Sequence, residues 1–334
     1  MTGPHDGDIK LDPLKREAVV WVRRLTSGQA TAADAEALQR WYGQSAAHAA
    51  AFLTASRLWK DLEPAGRNVR RRENAASLAR SRHEHAAISR RALFGGGLAG
   101  ATVAAAYFVV HPPLGLWPSW SELTADYRTG TGEQRSVSLS RDVSIRMNTQ
   151  TSIVVQPSDL NVDRLELISG EASFSTTSRS GRAFAVHAGD IWITANGAQF
   201  EVRYLQEPAE RSVCVTCLQG ELSVARENET TTVGSRQQLR YAGGRLERSD
   251  AVDPEVVSGW QRGVLIFRFT PLADVVDEIN RYRPGRILVI NAQIGRIPVS
   301  GRFRIDKMDE ILTQLELAFG AKVRSLPGGL VLLS

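Results

Sequence analysis

"SRRALFGGGLAGATVAAAYFVV", Ser89 to Val110, interrupts a chain of 334 residues whose other segments read as water-soluble. From Ala92 to Val110 run 19 residues without a charged, amide or proline side chain. At about 1.5 Å of rise per residue, a helix of that length reaches roughly 28 Å and crosses a bilayer core. A buried helix of a soluble domain is the alternative. Such helices carry a polar stripe, however, and this run offers only Thr102 and Tyr107. A cleavable secretory signal has a short charged leader, whereas 91 residues precede the run, so an anchor is expected.

The flanks orient that anchor. Arg67, Arg70, Arg71, Arg72, Arg80 and Arg82 lead up to Arg90 and Arg91, and no Lys or Arg occurs from His111 to Tyr127. The positive-inside bias then keeps the N-terminal side in the cytoplasm and exports the rest. Arg90 and Arg91 read equally as a twin-arginine export signal and as ordinary anchors on the cytoplasmic side. Residues 1–91 hold 16 Lys and Arg against 10 Asp and Glu, so the net +5 of the chain belongs to the cytoplasmic side. A basic segment of this kind, without interleaved aromatics, suits anionic lipid headgroups better than nucleic acid, and no direct nucleic-acid contact is expected.

Six segments follow: a helical head (1–66), a basic juxtamembrane linker (67–91), the span (92–110), a second linker (111–125), a β-rich domain (126–248) and an α+β module (258–334). In the head, Asp12 caps a helix with Pro13 in its first position, and Leu14, Ala18, Trp21, Val22 and Leu25 recur at helical spacing, before Ser27-Gly28. Thr31 opens a second helix carrying Leu38, Trp41 and Tyr42, and Gly43 closes it. Ser45 caps a third, with Ala51, Phe52, Ala55, Leu58, Trp59 and Leu62 as its stripe. About 50 residues bury only a marginal core, so Trp21, Trp41 and Trp59 divide between core packing and contact with a partner. His48 has no metal-ligand company and reads as a capping or packing residue.

Beyond the span, "RLELISGEASFST", "AFAVHAGDIWITA" and "SVCVTCLQGELSV" alternate apolar and polar residues, with turn signals at Gly170, Gly181, Gly189-Asp190, Gly197 and Gly220. Roughly ten strands between Gly132 and Tyr241 argue a β-sandwich or solenoid-like roll. From Trp260 the pattern becomes β-α-β-β-α-β with room for one more strand, Thr270 capping the first helix ahead of Pro271 and Asp306 capping the second. No Walker loop, G-x-S-x-G elbow or H-E-x-x-H occurs, so neither an enzyme nor a metal or cofactor site is expected. Cys214 and Cys217 form the single C-x-x-C. It lies within a strand pattern, where residues three apart point to opposite faces, which makes a disulfide awkward.

The order of these pieces resembles the FecR family, transmembrane regulators of iron-starvation-type extracytoplasmic-function (ECF) sigma factors. "WVRRLTSGQATAADAEALQRWYGQSAAHAAAFLTASRLW" resembles its anti-sigma head, with Trp21, Trp41, His48, Phe52 and Trp59 at the places of its aromatic and His pattern. "YRTGTGEQRSVSLSRDVSIRMNTQTSIVV" and "RAFAVHAGDIWITANGAQFEV" resemble its periplasmic domain. "FTPLADVVDEINRY", "IPVSGRF" and "MDEILTQLELAFG" resemble the secretin and TonB short N-terminal domain. The resemblance implies a single-pass inner-membrane protein. Its head would bind an ECF sigma factor through Trp21, Trp41, His48, Phe52 and Trp59, and its periplasmic part would meet the signalling domain of a TonB-dependent receptor for a siderophore or similar ligand. An intramembrane protease would finish its release. A membrane-anchored periplasmic scaffold without sigma control is the alternative.

Two positions depart from the pattern. Some members cleave themselves at a Gly-Thr bond, where the hydroxyl attacks the preceding carbonyl; here Gly197 is followed by Ala198, whose methyl group is no nucleophile. The usual Asp-Gly turn is replaced by Arg141-Asp142-Val143, which leaves that hairpin without its turn signal.

Overall fold

The computed structural model describes residues 12–26, 32–61, 120–157, 162–178, 181–206, 211–249, 252–308, 310–319, 322–326 and 330–334. The expected span at 92–110, Arg90, Arg91 and the basic linker lie outside the described residues. Among those described, no helix is long and apolar enough to cross a membrane.

The head is three helices: α1 (Pro13–Thr26), α2 (Ala32–Tyr42) and α3 (Ala46–Asp61). Asp12 Oδ1 accepts from the Leu14 backbone N–H at 3.2 Å, and Ser45 Oγ accepts from that of His48 at 3.4 Å, so both caps read from the sequence form. The helical stripe is the core: Ala18, Val22, Leu25, Leu38, Ala51 and Phe52 are buried together. Thr31 and Leu62 lie outside the described residues.

A short helix, α4 (Trp120–Leu123), leads into the β domain. Its strands are β1 (Tyr127–Arg128), β2 (Arg135–Ser138), β3 (Val143–Met147), β4 (Ser152–Gln156), β5 (Val162–Thr176), β6 (Ala183–Ala188), β7 (Ile191–Ala195), β8 (Gln199–Gln206), β9 (Arg211–Gln219), β10 (Glu221–Arg226), β11 (Glu229–Gly234), β12 (Gln238–Ala242) and β13 (Arg245–Ser249). They form one 13-stranded sheet folded into a roll around its apolar face, with the path β11-β10-β7-β6-β5-β8-β9-β12-β13. The 15-residue β5 is the hinge between two wings. Its first half pairs with β4 and, in parallel, with β6, and its second half with β3 and β8. The β2–β3 hairpin forms without an Asp-Gly turn: the Leu139 N–H donates to the Val143 carbonyl at 3.0 Å, and Asp142 binds both Ser140 and Thr177.

Gly170 corrects the sequence reading. It does not end a strand but bends one, at φ +95° in the middle of β5. A Cβ there would lie 2.5 Å from the Gln150 carbonyl oxygen and from Thr151 Cα, so only glycine fits. The side-chain alternation changes phase along β5, where the register with β4 slips between Leu167 and Ser169. Leu165 and Leu167 point into the roll before it and Ala172 and Phe174 after it, which turns Glu171 to the outside.

The C-terminal module begins with α5 (Pro254–Val257), capped by Asp253, and a 3-10 turn at Ser258–Arg262. Then come β14 (Val264–Pro271), α6 (Leu272–Ile279), β15 (Arg286–Val289), α7 (Ala292–Gly295), β16 (Pro298–Arg304), α8 (Glu310–Phe319), β17 (Val323–Leu326) and β18 (Leu330–Leu333). The expected extra strand is present, and the strands divide into two small sheets, β14-β16 and β15-β18-β17. Leu272, Val275, Val276 and Ile279 form the buried stripe of α6 as their spacing requires. Both expected caps are corrected. Thr270 is still paired in β14, so Pro271 takes the cap position of α6 with no side-chain bond, while Asp306 lies in a 3-10 turn before α8, held by Arg304 at 2.6 Å.

Candidate functional site

The aromatic residues of the head divide by exposure. Trp41 is 8% exposed and Phe52 2%, and both pack in the core of the bundle. Trp41 Nε1 donates to Glu17 Oε2 at 2.8 Å, and its ring meets His48 edge-on at 4.9 Å. His48 Nδ1 lies 2.8 Å from Ser45 Oγ, a packing and capping role in keeping with its sequence. Trp21 is half-buried, 6.4 Å from Trp41. Trp59 lies towards the end of α3. The surface that α1 offers instead is Val19 and Val20, the latter 60% exposed, beside Arg16.

The second site is polar and was not legible from periodicity. Glu171, Glu201 and Arg203 project from the outer face of the β3-β5-β8-β9 wing, where alternation places solvent-facing side chains. The C-terminal module covers them. The Glu171 side chain is 3% exposed and binds two guanidinium groups, Arg203 at 2.9 Å from its own domain and Arg281 at 3.0 Å from the module. Glu278 on α6 completes a square, 2.9 Å from Arg203 and 2.7 Å from Arg281. Two carboxylates thus alternate with two guanidinium groups across the seam, so that buried charge is neutralised locally.

Around this square the loop Asn148–Thr151 supplies neutral partners. Asn148 Nδ2 donates to Glu171 Oε2 and to the Tyr282 hydroxyl, each at 2.7 Å, and Thr149 Oγ1 donates to the Arg281 carbonyl at 2.8 Å. Gly132 approaches so closely that a Cβ would stand 2.9 Å from the Tyr282 carbonyl oxygen. Gln134 Nε2 donates to the Trp260 carbonyl at 2.9 Å, and Glu201 accepts from Gln261 Nε2 at 2.6 Å and Trp260 Nε1 at 3.4 Å. "TGTGEQ" and "NTQT" therefore dock the module; the sequence reading used them only as a resemblance.

The two acids titrate in opposite directions. Burial raises Glu201, the Glu171 charge raises it further, and bonds from Gln261 and Trp260 offset only part of this. Burial also opposes the charge on Glu171, but Arg203 and Arg281 outweigh it and hold its pKa below the ordinary value. Stability from Glu201 is therefore present below the ordinary carboxylate range and lost as pH rises through its raised value; stability from Glu171 runs the other way, lost as pH falls through its lowered value. The Glu201→Gln variant, a fixed mimic of the protonated acid, is expected to raise the thermal midpoint near neutral pH. The gain shrinks towards about pH 5, near the ordinary carboxylate range; a midpoint unchanged at neutral pH would exclude this assignment.

Cys214 and Cys217 are both free, the latter buried in the roll, and burial pushes each thiol up to about 11. A thiol that high is a poor nucleophile. Ala198 is buried, its N–H donating to Thr176 Oγ1 at 2.9 Å.

A helical head, a β roll and an α+β module joined to the roll by a buried polar seam define a multidomain protein built from docking surfaces. Residues 125–223 match the family described as FecR protein, and residues 16–58 match a domain of unknown function, DUF4880. The first match falls on the roll and the second on the head. Two crystal structures of a candidate anti-sigma factor from Parabacteroides distasonis ATCC 8503 share the fold. One is 19% identical with a TM-score of 0.54, covering 62% of this chain and 97% of its own; the other is 20% identical with a TM-score of 0.52, covering 62% and 96%. No curated protein matches the chain.

Proposed function

We propose that the chain is a single-pass inner-membrane anti-sigma regulator, acting by binding rather than by catalysis. The head holds an ECF sigma factor on the cytoplasmic side. The roll and its module receive a signal from a TonB-dependent receptor, for iron or siderophore uptake, and proteolysis finishing within the membrane releases the head. The observation that carries this reading is the order of the parts: a DUF4880 head, an apolar run of 19 residues and a FecR roll in one chain. The likeness in fold to a candidate anti-sigma factor supports it. Cutting a tether changes the location of the head outright, which a single helix cannot do by bending.

The test is co-purification of the full chain with the sigma factor encoded beside it, together with transcription of the neighbouring receptor gene in a deletion strain. Capture and altered transcription are expected. Absence of both would leave a membrane-anchored periplasmic scaffold as the better reading. Because Ala198 stands where a Thr nucleophile would be needed, the purified chain is also expected to stay intact between Gly197 and Ala198. A pair of stable fragments divided at that bond, seen on a denaturing gel and by intact-mass measurement, would refute it.

A further inference from the structure

Ser169, Gly170 and Glu171 are consecutive, yet they hold different parts of the molecule. Ser169 Oγ donates to Glu122 on α4, the helix that brings the chain in from the direction of residues 92–110. Glu171 holds Arg281 of the C-terminal module. The bend at Gly170 between them has no slack, as the 2.5 Å approaches to Gln150 and Thr151 show.

The neighbouring loop repeats this arrangement. Thr129 Oγ1 donates to the Asn148 carbonyl at 2.6 Å and accepts from the Thr151 N–H at 2.9 Å, which ties the lead-in segment to the loop. The same loop holds Tyr282 through Asn148 and the Arg281 carbonyl through Thr149. Asp126 Oδ2 accepts from the Val155 N–H at 2.8 Å and fixes the segment to β4. Two parallel connections, one through β5 and one through residues 148–152, thus join the module to the lead-in segment. Such close-packed networks shift between discrete arrangements rather than deforming smoothly.

We propose that docking of the C-terminal module and clamping of residues 120–129 are one coupled unit: a partner that takes hold of the seam face of α6 and so frees Arg281 and Glu278 also loosens the segment leading to the apolar run. The coupling itself is a property of the roll. Only its use in signalling rests on the proposed topology, so the two fail separately.

The test is amide hydrogen exchange on the full chain in detergent micelles. Arg281→Met is expected to speed exchange across residues 120–129 by about tenfold, within the usual range of allosteric coupling, and Glu122→Gln to speed residues 278–283 by the same factor, since coupling is reciprocal. Arg281→Lys, which keeps the charge but loses the forked geometry, gives a smaller change of the same pattern and serves if the Met variant does not fold. Val224→Ala, in the core away from the seam, is the control. Acceleration confined to the immediate neighbourhood of each substitution, or equal acceleration of both segments by Val224→Ala, would overturn the proposal. The readout involves no receptor, sigma factor or protease, so a wrong topology does not affect it.

Discussion

Replacing Glu171 by Ala is expected to lower the thermal midpoint of the roll and its module by about 10 °C, corresponding to about 3–5 kcal/mol for breaking a buried ion pair from one side. The size follows from what is left behind. Arg203 and Arg281 then share Glu278 alone, and the Asn148 amide loses its carboxylate acceptor. The Arg281 side chain is only 13% exposed, so water does little to compensate. Glu171→Gln keeps the shape and part of the bonding and costs less. Exposed pairs provide the contrast: Arg304–Asp306 at 2.6 Å has side chains 63% and 61% exposed, and breaking it should leave the midpoint where it was. Differential scanning calorimetry of Glu171→Ala, Glu171→Gln and Asp306→Ala decides the matter. A Glu171→Ala midpoint within about 2 °C of the parent, under 1 kcal/mol for a body of this size, would show that the square holds nothing together.

The second large effect lies in the head. Phe52→Ala is expected to cost about 3–5 kcal/mol, as for other buried phenylalanines, which exceeds what a three-helix bundle of this size can lose. Helical signal from the head and capture of a sigma factor should both disappear. Val20→Asp acts differently, because its side chain is exposed on α1: the helices stay folded while capture weakens. Circular dichroism and co-purification of both variants separate the roles. Should Val20→Asp bind as well as the parent while the bundle is intact, the outward face of α1 is not the contact surface.

Much of this was legible one residue at a time. The stripe Ala18-Val22-Leu25, the caps at Asp12 and Ser45 and the stripe of α6 are local patterns, and local hydrogen bonding and burial satisfy them as read. The two misplaced caps are local failures too: pairing with β16 carries β14 on through Pro271, and an ion pair with Arg304 occupies Asp306. Gly170 looked like a turn because glycine at positive φ usually is one; that it bends a continuing strand depends on the partner strands on both sides.

The sequence by itself determined the order of the modules, the helical and strand periods and, within an unbroken stretch of strand, which residues share a side. Whether that side faces water was decided by the tertiary structure alone. Glu201 and Arg203 alternate with the core residues Phe200, Val202 and Tyr204 and so face away from the roll, but alternation carries no information about a module whose Arg281 lies 110 residues beyond Glu171 along the chain. A period of two is set by the backbone pleat within one strand, whereas burial of a polar face is set by what else the chain brings to lie against it.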